Sequence, residues 1–318
     1  MPSEFDLIRR YFTRKTPSAR LGVGDDAALV KVRAGMELVI STDMLVAGTH
    51  FLHDADPVLL GRKALAVNVS DLAAMGATPR WATLSIALPK IDERWLAGFA
   101  RGMFAEAKRY GVELIGGDTT RGPLNMSITI FGEAPAGRAL RRDGARQGDD
   151  IWVSGTLGDA ALGLAALRKH IALSARERKA CVARLDAPTP RVALGQALLG
   201  VAHAAIDVSD GFLADLGHIL ERSRKGAQVE FDALPRSTAL RRHEASALAR
   251  RCLVAGGDDY ELCFCAPAKA RSRVEAIGRR IRLRLTRVGR IEARKGLRLM
   301  DGNGKPMRIA ASGYDHFG

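Results

Sequence analysis

Nine aspartates occur in six short contexts of one design: GVGDD (Asp25, Asp26), ISTD (Asp43), NVSD (Asp71), GGDTT (Asp118), IDVSD (Asp207, Asp210) and GGDDYE (Asp258, Asp259). In each, a stretch containing glycine, serine or threonine delivers a carboxylate. Any one alone is an ordinary turn residue or helix cap. Six such contexts at predicted strand ends, where loops gather on one rim of a sheet, predict carboxylates that converge. Converging carboxylates repel each other unless cations lie between them. Hard oxygen ligands select Mg²⁺ over zinc or copper. Glycine-rich turns add backbone amides able to approach phosphate oxygens, and an arginine such as Arg142 can offset further negative charge. The chemistry implied is a Mg²⁺-nucleotide site and phosphoryl transfer.

These residues need elements to position them. Asp56–Pro79 carries the marks of one helix. Asp56 is placed to cap it, Pro57 suits its first position, Gly76 is a natural stop and Pro79 resists continuation. Leu59, Leu60, Ala64, Leu65, Val67, Val69, Leu72, Ala73 and Met75 leave almost no polar face, which predicts burial on most sides. Asn68, Ser70 and Asp71 interrupt that apolar run. A buried carboxylate is costly unless paired or metal-bound, so Asp71 taken alone is hydrogen-bonded scaffolding or part of a metal site.

Before this helix, residues 3–12 read as a short amphipathic helix with Phe5, Leu7, Ile8, Tyr11 and Phe12 on one side. Ala27–Val32 and Glu37–Ser41 read as strands. Leu38, Val39 and Ile40 are continuously apolar, as for a strand covered on both faces. After it come a strand at Trp81–Leu88, a helix at Asp92–Tyr110, a short strand at Glu113–Ile115, a turn at Gly116–Thr120 and a strand at Asn125–Glu133. This order predicts an α+β layer, not a doubly wound run. The Gly- and Arg-rich stretch Pro135–Gly148 predicts a junction between an N-terminal domain, residues 1–136, and a C-terminal domain, residues 137–318, of α/β sandwich type. In the second domain, strands are predicted at Asp150–Ser154, Gln228–Phe231, Glu261–Ala266, Arg284–Ile291 and Leu297–Met300. Helices are predicted at Ala160–His170, Ala175–Leu185, Ala193–Ala202, Phe212–Ser223, Thr238–Arg250 and Ala268–Ile281.

The 318 residues suffice for two domains, and 47% hydrophobic with 26% charged residues is usual for a globular protein. No apolar run is long enough to span a bilayer. The N-terminus lacks a secretory h-region, so the cytoplasm is the expected location and no membrane partner is expected. Cys181, Cys252, Cys263 and Cys265 have no zinc-ligand spacing and are expected to be reduced and structural. The net charge of +14 is uneven: residues 1–136 hold 16 Lys/Arg against 15 Asp/Glu, residues 137–318 hold 33 against 20. Arg282 and Arg284 alternate with Ile281, Leu283 and Leu285 as on the wet face of a strand. Nucleic-acid binding through such arginines would leave the acidic contexts without a purpose, and no nucleic-acid partner is expected.

The P-loop pattern, the protein-kinase motifs and the dinucleotide glycine fingerprint are all missing from the sequence. GVGDDAAL, STDMLVAGTHF, KALAVNVSDLAAMGATP, LIGGDTTRGP, VSGTLGDAALGL, IDVSDGFLADLGHI, GGDDYELCF and GYDHF, taken together and in order, resemble the thiamine-monophosphate kinase family. That family belongs to the aminoimidazole ribonucleotide synthetase-like ATP-binding superfamily. The resemblance spans nearly the whole chain. It implies ATP-dependent, Mg²⁺-dependent phosphorylation of thiamine monophosphate to thiamine diphosphate, the last step in making that cofactor, by direct in-line transfer. It also implies a homodimer whose N-terminal domains pair their sheets. Carried over by motif, Asp26, Ser41, Thr42, Asp43, Asp71, Asp118, Asp207 and Asp210 are the implied metal set, with Asp43, Asp71 and Asp210 at the reacting centre. Tyr110, Gly117, Asp118, Arg142 and Ser209 are the implied ATP contacts. His50, Asp258 and Tyr314 are the implied substrate contacts.

The chain departs from the family in one motif, where G-G-E-D-Y-E-L is common and Asp258 stands in the third position. Its shorter arm would need a water to reach the same group. Selenophosphate synthetases of the superfamily carry an early Cys or selenocysteine, whereas no Cys precedes Cys181 here. A hydrogenase-maturation relative would end in a reactive Cys, whereas the chain given ends in Gly318.

Overall fold

The computed structural model describes residues 3–307. The chain divides into two compact units. One comprises the residues up to Leu72 together with Ala77–Gly137, the other Ala73–Gly76 together with the residues from Arg138 on.

In the first unit, α1 (Glu4–Leu7) is capped by Ser3 in a reciprocal capping box and runs into a wider π-turn, Ile8–Phe12. Leu7 and Phe12 are buried, but Phe5 is exposed and leaves the expected apolar side. Strand β1 (Met36–Val46) leads to α2 (Pro57–Ala74), then β2 (Thr78–Leu88), α3 (Glu93–Tyr110), β3 (Glu113–Arg121) and β4 (Asn125–Pro135). The sheet order is β1-β4-β2-β3, with β2 and β3 parallel across the α3 connection and the other pairs antiparallel.

Helix α2 starts and stops where its local chemistry says it must. Asp56 Oδ1 accepts the amides of Val58 and Leu59, and Gly76, at φ +69°, closes the other end with its N–H on the Ala73 carbonyl. From Leu60 to Ser70 every residue but Arg62 is buried, as the apolar run predicts. Helix α3 lies against it at unusually close range. A Cβ on Gly61 would sit 2.1 Å from the Phe99 carbonyl, and one on Gly102 would sit 1.9 Å from the Val58 carbonyl. Glycine on both helices therefore lets the backbones touch.

The expected strand at Ala27–Val32 does not form; only an isolated bridge, Leu29 to Leu21, marks it. Strand β1 is longer than expected and is not covered on both faces. It is an edge strand, and within this chain Leu38, Ile40 and Met44 are 39%, 56% and 55% exposed. The GGDTT stretch is not a turn after a short strand but the continuation of β3, past a register shift near Ile115. Pro79 likewise lies inside β2, beside a second irregularity that absorbs its missing donor.

In the second unit, β5 (Asp149–Ser154), α4 (Asp159–Leu167), α5 (Ala175–Asp186), α6 (Val192–Leu198), β6 (Ala204–Asp207), α7 (Phe212–Ser223) and β7 (Gly226–Glu230) are followed by α8 (Thr238–Arg242), α9 (Ala247–Ala255), β8 (Leu262–Pro267), α10 (Arg271–Ile281), β9 (Leu285–Glu292) and β10 (Gly296–Met300). The sheet order is β10-β7-β9-β5-β8-β6, mixed in direction. Alternation sorts its central strands between two cores. Ile151, Val153, Cys263 and Cys265 join Phe212, Leu216 and Ile219 of α7 on one side. Trp152, Leu262 and Phe264 join Leu194 and Leu198 of α6 and Val274 and Ile277 of α10 on the other. The apolar run ELCFCA is thus the strand covered on both faces. The expected helix Thr238–Arg250 breaks in two around His243–Ser246. Arg282 is not on a strand: it caps α10 in the left-handed conformation, at φ +54°.

Candidate functional site

Four of the nine carboxylates sit on regular elements, the fourth being Asp207 at the end of β6, and the other five lie in loops. Asp43 lies within β1, Asp118 within β3 and Asp71 in the last turn of α2. Among the described residues, no group of three or more His, Cys, Asp or Glu stands ready as a preformed metal cage.

The first unit does bring one group together. Ser41 Oγ donates to Asp71 Oδ2 at 2.5 Å. One turn earlier on α2, Asn68 is 1% exposed; its Oδ1 accepts the Asp43 amide at 3.1 Å and its Nδ2 donates to the Ala64 carbonyl at 3.0 Å. Strand alternation puts Ser41 and Asp43 on the same face of β1, and α2 holds both, one through Asp71 and one through Asn68. Thr42 points to the other face, where its hydroxyl is 2.8 Å from that of Thr129 on β4. Its side chain is therefore not brought to Asp71. Hydroxyl and carboxylate oxygens from Ser41 and Asp71, already in contact, form a hard donor set that fits Mg²⁺.

Near the end of the same strand, His50 folds back so that Nδ1 accepts the Val46 amide at 3.0 Å. That bond fixes the neutral tautomer with its proton on Nε2, a donor suited to a phosphate or carbonyl oxygen. Asp26 is exposed, and its own amide bonds to Asp25 Oδ1. Gly117 precedes Asp118 at φ +149°, and a Cβ there would lie 1.8 Å from the Leu84 carbonyl on β2, so no other residue fits. Asp118 is exposed beside Ser85 of β2. Tyr110 ends α3 with the Arg109 guanidinium 5.3 Å from its ring centroid.

In the second unit, two acidic turns are laced together by their backbones. The Asp258 amide donates to the Ser209 carbonyl and the Tyr260 amide to the Val208 carbonyl, each at 2.8 Å; the Val208 amide donates to the Glu261 carbonyl, also at 2.8 Å. A Cβ on Gly257 would lie 2.4 Å from the Ser209 carbonyl, which explains the glycine. Ser209, Asp210 and Asp258 are thereby neighbours, with Asp207 buried at the end of β6. Asp258 adopts φ +67°, which Asp tolerates better than longer residues. That is a physical reason for aspartate where the family commonly has glutamate. Arg142 opens a 3-10 turn whose carbonyl accepts the Ser223 hydroxyl of α7, while its side chain is exposed. Tyr314 lies outside the described residues.

Beneath these turns lie three carboxylates, of which the sequence singled out only Asp259, and that one without a task. Asp215, in the first turn of α7, accepts the amides of Ser209, Asp210 and Gly211 on one oxygen, each at 3.1 Å. Burial, aided by the neighbouring Asp210 charge, pushes its carboxyl up to about 7. Asp259 is buried, takes the Gly158 amide on Oδ2 and leaves Oδ1 unpartnered; burial pushes its carboxyl well above the usual range. Glu261 is fully buried and neutralised by Arg184 and Arg191, with Ser154 Oγ donating at 2.5 Å. A carboxylate four residues into a helix after a Ser-Asp-Gly turn was the one available signal for Asp215.

Comparison with known proteins gives this geometry its context. Residues 24–134 match the family model described as AIR synthase related protein, N-terminal domain, and residues 146–302 match the corresponding C-terminal domain. The chain is 49% identical over 320 residues to the thiamine-monophosphate kinase of Salmonella typhimurium, covering 99% of this chain and 98% of that one. It is similar to the crystal structure of thiamine-monophosphate kinase from Stenotrophomonas maltophilia, with a TM-score of 0.85 and 48% identity over 91% of this chain and 92% of that chain. It is also similar to AaThiL complexed with AMPPCP and TMP, with a TM-score of 0.78 and 32% identity over 98% and 96% of the two chains. With relatives this similar from end to end, the chain belongs to the thiamine-monophosphate kinase family.

Proposed function

We propose that this chain transfers the γ-phosphoryl group of ATP to the phosphate of thiamine monophosphate, giving thiamine diphosphate and ADP. One observation carries the reading above the others. A chain that aligns over 99% of its length with a thiamine-monophosphate kinase also ties Ser41, Asp43 and Asp71 of two separate elements into one oxygen-rich group.

The acceptor is a phosphate oxygen that is already anionic. Its lone pair forms the new bond to the γ-phosphorus while the bond from that phosphorus to the bridging oxygen of ADP breaks. No strong general base is needed, and no covalent enzyme intermediate is invoked. The difficulty is bringing two polyanions together. Ser41, Asp43 and Asp71, with Thr42, Asp26, Asp118, Asp207 and Asp210, would hold Mg²⁺; the Thr42 hydroxyl would join them only by leaving Thr129. When bound, Mg²⁺ supplies positive charge that offsets the repulsion between the phosphates. Tyr110, Gly117, Asp118, Arg142 and Ser209 would hold ATP, with Arg142 adding a fixed cation. His50 would donate from Nε2 to the substrate, with Asp258 and Tyr314 completing its contacts. Homodimer formation through the N-terminal sheet is supported by the exposed face of β1. The cytoplasm, where ATP is abundant, is the compartment this reaction needs.

The test is direct: incubate the protein with Mg²⁺, ATP and thiamine monophosphate and follow thiamine diphosphate by chromatography. Product is expected from thiamine monophosphate and not from free thiamine. No product from thiamine monophosphate would overturn the reading. The Asp71→Asn variant should melt as the parent does yet lose turnover.

A further inference from the structure

A turn made of consecutive backbone amides pointing at one spot is, in most proteins, an anion site. The Ser209–Gly211 turn has that form, since its three successive amides aim at a single point. Here the spot is already filled. Asp215 Oδ2 accepts all three at 3.1 Å, and Asp215 is 2% exposed. A phosphate therefore has no access to these amides. What the turn carries besides those amides is side-chain oxygen, from Ser209 and Asp210, with Asp207 just before it at the end of β6. The same turn also lends its Ser209 carbonyl to the Asp258 amide at 2.8 Å. One buried carboxylate oxygen thus fixes the backbone of both acidic turns of this unit.

We propose that Asp215 is a positioning residue that closes the amide nest at Ser209–Gly211, so that the turn meets the Mg²⁺–nucleotide complex through its side-chain oxygens and not its backbone amides, and holds Asp258 in register. It touches neither nucleotide nor substrate and acts through the residues it holds. Two ordinary features of the fold cannot replace it. Gly211 sits at φ +116° with a Cβ position 2.6 Å from the Ala255 backbone, so the turn has little freedom to find another acceptor. The α7 helix begins immediately after it, so its own first carbonyls point away.

This inference rests on the function proposed above, and its test separates the two. Asp215→Ala removes the acceptor; Asp215→Asn keeps one carbonyl oxygen in place. Amide hydrogen exchange is measured at Ser209, Asp210, Gly211 and Asp258, with Glu177, which bonds to Ser174 Oγ at the start of α5, as the internal control. Binding of the Mg²⁺–ATP complex is followed by calorimetry without thiamine monophosphate, over a Mg²⁺ titration. In Asp215→Ala the four amides should exchange at least about tenfold faster with Glu177 unchanged, and half-saturating Mg²⁺ should rise by about 10-fold or more, as when other residues that orient metal ligands are lost. Asp215→Asn should fall between that variant and the parent. If Asp215→Ala does not fold, Asp215→Asn is read alone, and an unchanged Mg²⁺ requirement overturns the proposal. A lowered melting temperature with unchanged Mg²⁺ dependence and unchanged exchange at the turn also overturns it, because Asp215 is then packing only. Mg²⁺–ATP binding that depends on Asp215 in a protein that makes no thiamine diphosphate would leave this proposal standing and remove the substrate assignment.

Discussion

Asn68 uses both ends of one amide. Its Nδ2 satisfies a carbonyl of its own helix while its Oδ1 holds the backbone of the strand that carries Asp43. Replacing it with alanine leaves the half-buried Asp43 amide without that acceptor. Asn68→Ala should therefore cost about 1–3 kcal/mol in thermal or denaturant unfolding and lower turnover as well, since Asp43 loses its anchor. A variant with the parent's stability and activity would remove Asn68 from the account. Asp71 could be singled out from sequence because a carboxylate in an apolar helix breaks the local pattern. Asn68 was visible too, but its task was not: the partner is 25 positions away, and spacing within a helix does not report a bond to another element. Asp215 was harder still. An aspartate near the start of a helix looks the same whether it holds the preceding turn or faces solvent.

At the scale of elements, helix ends were the most legible features because the forces that set them are local. Asp56 caps α2, Asp92 caps α3, and Ser174 with Glu177 forms a reciprocal box at the start of α5. Strands were read less well. Leu38–Ile40 looks like an interior strand because apolar side chains look the same against a core and against open surface; in this chain β1 is an edge. GGDTT looks like a turn because glycine pairs commonly make one. In the fold Gly117 is instead the place where β3 runs too close to β2 for a side chain. Gly117→Ala must move the Leu84 carbonyl or distort the strand, and the expected loss is at least about 1–3 kcal/mol by analogy with overpacked cores. Scanning calorimetry checks it. A variant as stable as the parent would show that β3 can shift without cost, and its crystal structure would then reveal where Asp118 goes.

At the scale of the whole molecule, the four free thiols and the apolar sheet face make separate predictions. Burial pushes Cys181 up to about 12 and Cys252 up to about 11, and raises Cys263 and Cys265 too. The thiolate is the reactive species, so a colorimetric disulfide reagent at pH 8 should modify none of them in the native protein. All four should react after unfolding, and rapid labelling of native protein would contradict the burial described. Among the described residues no helix is long and apolar enough to cross a membrane, so the exposed Leu38, Ile40 and Met44 are not part of a spanning helix. If they form the dimer face, Ile40→Glu should shift the protein toward monomer in sedimentation velocity; a parent already monomeric at micromolar concentration would end that proposal.

Helix α2 has a further consequence, for the order in which the chain can fold. Its first turns belong to one compact unit, while Ala73–Gly76 belong to the other. There Ala74 joins the core with Leu194 and Leu198, the Met75 carbonyl takes the Leu140 amide, and Gly195 comes within 1.9 Å, at its would-be Cβ, of the Ala73 carbonyl. During synthesis these four residues leave the ribosome long before Leu140 or Gly195 exists. The nascent chain must carry an apolar helix end whose partners have yet to be made. A ribosome stalled after residue 137 would present that end to chaperones and proteases, and a cut between residues 76 and 138 would leave a C-terminal fragment lacking a piece of its own core.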